Sequence, residues 1–354
     1  MNPLTLNNAL FAPLFTDATV AAAFSTERTL AAFIAFEAAL AEALAELGLA
    51  TPEKADAAAA AIRAFRPDLD RLAAATTDDG LPVPDFVAQL KAHVGDDLKG
   101  LVHVGATSQD LIDTATVLAL RDVSDHLAAG LTRLSAHLTD LEARFGSNAM
   151  MARTRMQAAL AFTVADRLAT WRLPLDGHLA RLAALRPGLE RIQFGGAVGD
   201  RRFPDGQGEA LARSMAERLG LAPALRAWHA MRESFAEYAG WLSLVTGSLG
   251  KIGADICLMA QQGVEEIGFA AAGKSSAMPH KQNPVRAELL VAFARFNAGE
   301  LAGMHHALVH EQERSGAAWA LEWMTLPGMA MTTAAAIARA EELLATVNRI
   351  GAPR

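Results

Sequence analysis

The sequence predicts an all-α protein, a bundle of very long helices preceded by a smaller helical part. Three observations carry this. Alanine and leucine, rather than β-branched residues, supply most of the apolar half of the 354-residue chain, a balance that favours helix over sheet. Two apolar seams alternate steps of three and four over four heptads or more. The first is Val117, Leu120, Ser124, Leu127, Leu131, Leu134, Leu138, Leu141 and Phe145; the second is Trp228, Met231, Phe235, Tyr238, Leu242, Val245, Leu249, Ile252, Ile256 and Met259. At 1.5 Å rise per residue such seams make helices of about 45 Å or longer. Finally, no βαβ alternation, fixed-length repeat or low-complexity tail is present.

Taken in order, Ser25-Thr-Glu-Arg28 reads as a helix cap with an acidic first turn. Leu30, Phe33, Leu40, Leu44 and Leu47 follow in phase, with Glu37 the one polar residue among them, and Gly48 ends the helix. Thr51-Pro52 opens a second helix that runs to about Phe65 and is stopped by Pro67. Thr76 to Pro84 reads as turns and Gly95 to Gly105 as a glycine-interrupted loop, with a short amphipathic piece between them. This N-terminal part is expected to end near residue 100, leaving 101–354 for the bundle. Beyond the first seam, Ala161 to Leu185 is expected to be helical with a kink at Pro174. Pro187 to Glu209 reads as a glycine-rich connection and residues 210–219 as a short helix closed by Gly220. Pro284 to His310 and Pro327 to Val347 are helical again. Seams this continuous seldom satisfy themselves within one chain, so oligomerisation is expected.

The formal charge of −7, with both signs interspersed, and the scarcity of aromatics (one tyrosine, five tryptophans) argue against a nucleic-acid partner. A single cysteine, Cys257, excludes a disulfide framework and reads as a buried thiol. No basic region followed by an apolar core opens the chain. The most apolar window, Trp241 to Ala260, holds Lys251 and Asp255 and reads as a bundle helix, not a membrane span. A cytoplasmic setting is expected.

Some chemical candidates fall quickly. Gly195-Gly-Ala-Val-Gly199 lacks dinucleotide-binding spacing and follows no strand pattern, so it reads as a flexible turn. His306 and His310 share a helix face with His305 nearby, but the carboxylate of a zinc helix is missing. Three polar segments remain. His103-Val-Gly-Ala-Thr-Ser-Gln-Asp110 feeds a long helix, and its hydroxyls and free N–H groups at a helix N-terminus suit a carboxylate, although a plain N-cap would look the same. Arg153-Thr-Arg-Met-Gln157 is expected at another helix start. Gly273 to Pro284, rich in serine, lysine and asparagine, is expected to be a surface loop, either a solvated connection or a lid.

In this order and with these separations, the three segments resemble the fumarase/aspartase superfamily. Its loop Gly-Ser-Ser-x-x-Met-Pro-x-Lys-x-Asn, with one x optional, is matched closely by Ser275-Ser-Ala-Met-Pro-His-Lys-Gln-Asn-Pro284. Phe36-Glu-Ala-Ala-Leu40 and Glu313-Arg-Ser315 extend the resemblance over nearly the whole chain. Gly105 to Thr114, Arg153-Thr-x-x-Gln157 and Glu322-Trp323 look most like the muconate-lactonising branch, with the adenylosuccinate-cleaving branch next. The resemblance implies proton transfer on the carbon beside a carboxylate, through an intermediate with two negative charges that needs clustered donors. It implies Ser275 as the proton-transfer residue, with Lys281 and Asn283 gripping the activated carboxylate. Thr107, Ser108, Gln109, Arg153, Thr154, Arg155, Gln157, Ser276, Met278 and Arg314 are implied to bind substrate, with His103 beside them. It further implies a homotetramer with active sites shared between subunits, acting on a small polycarboxylate in the protocatechuate branch of aromatic degradation. Proton transfer and carboxylate binding call for no metal or organic cofactor.

The departures sharpen this. Relatives that expel water or amines read Arg-Thr-His in the second segment, the histidine serving as general acid, whereas this chain has Arg155. A carboxylate leaving group, with a pKa of about 4, needs no acid, and arginine orients it without protonating it. Lactonisation is therefore expected over elimination of water or amine. Lys274 replaces the glycine usual before the serine, and the sequence ends about forty residues after Arg314, where many relatives continue into another helical domain. A lyase of the adenylosuccinate type, a sulfomuconate cycloisomerase and a non-catalytic helical scaffold are the competing readings.

Overall fold

A computed structural model of the chain describes residues 8–202, 206–270, 273–274, 278 and 282–352, with only the backbone of Lys274. Short helices α1 (Ala12–Phe15) and α2 (Ala18–Ala23) lead into α3 (Thr26–Glu46), α4 (Pro52–Ala64), α5 (Leu69–Asp79) and α6 (Val83–Val94). The expected cap is present: Ser25 Oγ accepts from Arg28 N. Of the stretch expected as turns, Gly80 to Pro82 is non-helical, but Thr76 to Asp79 is instead the end of α5, which Asp68 caps at Arg71 N and Gly80 closes in the left-handed conformation. Its apolar residues are too few to register as a seam, and only Leu72 is buried.

The bundle consists of α7 (Ser108–Phe145), α8 (Val164–Leu189), α10 (Glu233–Met259), α11 (Val285–His306) and α12 (Ala317–Ala345), with α9 (Gly208–Leu219) packed on α3. Every residue of the α7 seam is buried except half-buried Phe145, and its polar member Ser124 donates to Tyr238 Oη of α10 at 3.0 Å. On α10 the seam is buried throughout, while Met231 is 46% exposed because the helix begins only at Glu233. By length and composition α10 could cross a bilayer, but here it is a core helix. It meets α11 closely: a Cβ on Gly253 would lie 2.4 Å from Ala287 O, and one on Gly250 2.5 Å from Ala294 Cβ. Cys257, expected buried, is only partly so; burial, then Glu288, pushes its thiol pKa up.

Two expected boundaries are overrun. Pro187 lies inside α8 and Pro327 inside α12. An interior proline costs about 3 kcal/mol, yet Leu182 and Leu189 flank the first, and Leu326 and Met329 the second, as buried anchors. The apolar burial on either side holds the helix through the break.

Consecutive bundle helices are antiparallel, which defines two ends. At the near end lie the starts of α7, α10 and α12, where Arg232 pairs with Asp113 and Glu322, and the end of α8, where Thr114 Oγ1 donates to Gln193 O at 3.1 Å. At the far end are three small antiparallel ladders: β1 (Ala149–Thr154) with β2 (Gln157–Thr163), β3 (Ile267–Phe269) with β6 (Val347–Ile350), and β4 (Gly273–Lys274) with β5 (Gln282–Asn283). The 38 residues of α7 put the ends about 57 Å apart. The boundary expected near residue 100 falls in a single 3₁₀ turn, Lys99–Leu101, and the core crosses it, with the Phe36 and Phe194 rings 6.5 Å apart.

One buried histidine should report on folding. His178 of α8 lies against Ser248, with Nε2 2.8 Å from Oγ, and burial, helped by Arg181, lowers its pKa to about 4. The unfolded chain, with an ordinary histidine near pH 6.5, binds that proton first. Between pH 6.5 and about 4, stability should fall as pH falls. Denaturant midpoints followed across this window should show the loss, and His178→Leu should remove this component of it.

Candidate active site

The implied site residues separate into two groups. Thr107, Ser108, Gln109, Arg314 and His103 gather at the near end. Thr107 caps α7, and its backbone N–H donates to Asp110 Oδ2 at 2.9 Å. Its hydroxyl is taken by Arg314 Nη1 at 3.1 Å, and Arg314 Nη2 donates to Ala197 O at 3.1 Å. The guanidinium is thus fixed by neutral acceptors, with no carboxylate paired to it among the described residues. Half-buried Ser108 begins the helix, where free N–H groups and the helix dipole favour a carboxylate. Fully buried Gln109 donates to His229 O at 3.0 Å.

His103 has a left-handed backbone (φ 61°), held by Glu37. The Glu37 carboxylate, fully buried on α3, accepts from His103 N and sits 2.7 Å from His103 Nδ1. The polar residue inside the α3 seam therefore orients this histidine.

At the far end the second segment departs from expectation. Arg153 to Gln157 does not start a helix; it is the tip of the β1–β2 hairpin, with Thr154 opposite Gln157. Arg155 and Met156 form the two-residue turn at φ 49° and 67°, the positive values such hairpin turns require. Helix α8 begins later, at Val164, behind a capping box of Thr163 and Asp166. Local turn geometry overrode the helical composition that follows. Arg153 pairs with Glu266 at 2.6 Å, whereas Thr154, Arg155 and Gln157 are exposed.

The third segment is described at its base. Gly273 pairs with Asn283 and Lys274 with Gln282, so residues 274 to 282 are clasped at their two ends. Val285 and Asn283 leave no room for a Cβ on Gly273, which would come within 2.5 Å of Val285 Cγ2. Met278 is 42% exposed. Ser275, Ser276 and Lys281 lie outside the described residues. Beside Asn283 opens a cavity of about 310 Å³ into which Arg286 and Arg339 face, both tied to Glu342 at 3.0 and 2.6 Å.

Several near-end residues carry no individual signal in the sequence. Asp110 accepts from Thr107 N, Gly196 N at 3.0 Å and His229 Nε2 at 2.7 Å. Gly195 to Gly199 is therefore no free turn, since its N–H and carbonyl groups bind Asp110 and Arg314. The Thr-x-x-Asp spacing of a capping box was the one available hint. His305 and His306 are exposed, while the side chain of His310 is buried 3.6 Å from Glu322.

The architecture is one of long antiparallel helices with polar segments at both ends. A family model described as Lyase matches residues 15–296. The chain is 38% identical to a 3-carboxy-cis,cis-muconate cycloisomerase of Pseudomonas aeruginosa, over 95% of this chain and 75% of that one. It is 35% identical to a nitrosuccinate lyase of Streptomyces davaonensis, over 96% and 74%. The crystal structure of a 3-carboxy-cis,cis-muconate lactonizing enzyme from Pseudomonas putida superposes with a TM-score of 0.89 at 35% identity, covering 97% of this chain and 77% of that one. This chain belongs to the fumarase/aspartase superfamily and is an enzyme of its lyase and cycloisomerase kind.

Proposed function

We propose that the protein is a 3-carboxy-cis,cis-muconate cycloisomerase of aromatic degradation, working as a cytoplasmic homotetramer. In the forward direction a substrate carboxylate oxygen adds to the ring-forming carbon of a C=C bond. The electron pair moves onto the carboxylate conjugated with that bond, and Ser275 delivers a proton to the neighbouring carbon. In reverse, Ser275 removes that proton and the lactone C–O bond breaks to release a carboxylate. Lys281, Asn283 and the near-end donors hold the doubly charged carboxylate while it exists. A serine becomes usable as a base only where cations lower its pKa and water is excluded.

The observation that carries this reading is Arg155 at the exposed hairpin turn, in the place where relatives with poorer leaving groups use a histidine acid. A guanidinium there orients a group that departs already charged. The sharing of sites between subunits is supported by the separation of the two groups, about 57 Å along one chain. Leu160, Met156 and Met324, each 73–76% exposed, are apolar surface for other copies to cover.

Purified protein should convert 3-carboxy-cis,cis-muconate, followed by ultraviolet absorbance, and leave adenylosuccinate and fumarate unchanged. Arg155→His should lower kcat/KM for lactonisation by about tenfold or more, the worth of one charged contact. Unimpaired lactonisation by that variant, or cleavage of adenylosuccinate by the wild type, would defeat the reading. The likeness to nitrosuccinate lyase supports a second reading, elimination from a substituted succinate, and nitrosuccinate in the same assay decides between them.

A further inference from the structure

Behind Thr107, the imidazole of His229 is held by one nitrogen only. It is 3% exposed, and Nε2 donates to the Asp110 carboxylate at 2.7 Å. The other nitrogen, Nδ1, is buried and has no hydrogen-bond partner among the described residues. A buried polar atom without a partner is destabilising, and its presence beside an anion-binding helix start calls for a ligand. Two glycines clear the ring edge: a Cβ on Gly195 would stand 3.0 Å from Cε1, and one on Gly199 would stand 3.3 Å from Nδ1. His229 and Gly199 both line a cavity of about 240 Å³, with Arg226, Gln312 and Glu313 among its other walls. Arg226 is exposed and makes no ion pair with the described residues. The cavity adjoins the near-end site, because Glu313 precedes Arg314 in the chain and Arg314 holds the carbonyl of Ala197.

We propose that this cavity is a carboxylate subsite in which His229 binds as the imidazolium, Nε2–H held by Asp110 and Nδ1–H donated to the ligand. The inference rests on the reading of the substrate as a polycarboxylate. A neutral ring would offer the carboxylate only the lone pair of Nδ1, which repels it, so binding must bring one proton to His229. The charged groups around the ring set the balance. Asp110 favours the imidazolium, as does Glu313, which also opposes the incoming anion; Arg226 and Arg314 oppose protonation but attract the anion. The ligand carboxylate adds a second negative partner. Affinity should therefore rise as pH falls and protons become available to the ring.

The test is calorimetric titration of the intact chain with tricarballylate near neutral pH, in buffers of differing ionisation enthalpy. The wild type should take up a fraction of a proton, approaching one, on binding. His229→Gln keeps an amide donor toward Asp110. It should melt like the wild type, lose the proton uptake and bind about tenfold more weakly. Arg226→Ala should bind more weakly with the uptake intact, which carries the test should the glutamine variant fail to fold. No binding, binding by the wild type without proton uptake, or uptake retained in His229→Gln would overturn the proposal. Turnover of 3-carboxymuconate with a pH-independent KM would remove the subsite and leave the activity. Proton-linked tricarballylate binding without turnover would do the reverse.

Discussion

Arg232→Met should destabilise the protein by about 3–5 kcal/mol, the cost of leaving buried carboxylates without their cation. Arg232 is 2% exposed and carries two partners at once: Nη1 and Nη2 meet Asp113 at 2.6 and 3.0 Å, and Nε meets Glu322 at 2.8 Å. Burial opposes its charge, but Asp113 and Glu322 outweigh burial and hold its pKa above the ordinary value. The rings of Trp228 and Phe235 lie 4.9 and 4.7 Å from the guanidinium carbon, so it is stacked as well as paired. Trp319 Nε1 and Gln193 Nε2 donate to Asp113, each at 3.1 Å. The cluster therefore joins the starts of α7, α10 and α12 to the end of α8. Methionine fills the volume but leaves Asp113 and Glu322 facing each other uncompensated. Denaturant unfolding measures the loss, and adding Asp113→Asn and Glu322→Gln to the same chain should recover much of it. A loss below about 1 kcal/mol for Arg232→Met would show that the pair adds little.

Ser275→Ala should lower kcat by about 10²–10⁴-fold, the range that a positioned proton-transfer group contributes, while leaving assembly and melting temperature unchanged. The substitution removes only a hydroxyl, and β4 pairs with β5 at the two ends of the segment that carries it. Single-turnover absorbance measurements separate lost chemistry from lost binding. Retained turnover would remove Ser275 from the mechanism and pass the proton to another donor.

The long helices were legible because burial repeats along them with a fixed period. The seams of α7 and α10 read directly as core, and the in-phase polar residues of the α3 and α7 seams, Glu37 and Ser124, proved to be buried and hydrogen-bonded. Where a tertiary contact or a turn decides the outcome, periodicity was blind. Pro187 and Pro327 did not end their helices, and the apolar run after Gln157 became a strand because a two-residue turn at Arg155-Met156 folded it back. The near-end donors at 107–109 were legible as a helix start. Asp110, His229 and Gly195–Gly199 were harder, because what they do depends on partners some 85 to 120 positions away in the chain. That the three polar segments fall at opposite ends of the bundle was legible only in three dimensions. A site that used all three, as the resemblance implies, would require segments from more than one copy.

That requirement has a direct test. Ser275→Ala, defective at the far end, and Arg314→Met, defective at the near end, should each be inactive alone. The two are mixed, partly denatured and reassembled, with mixed oligomers verified by native mass spectrometry, and turnover of 3-carboxymuconate is then measured. If sites are built from opposite ends of different copies, some sites in each mixed oligomer receive only intact segments, and a substantial fraction of the wild-type rate returns. Mixed oligomers that form and remain inactive would contradict the account.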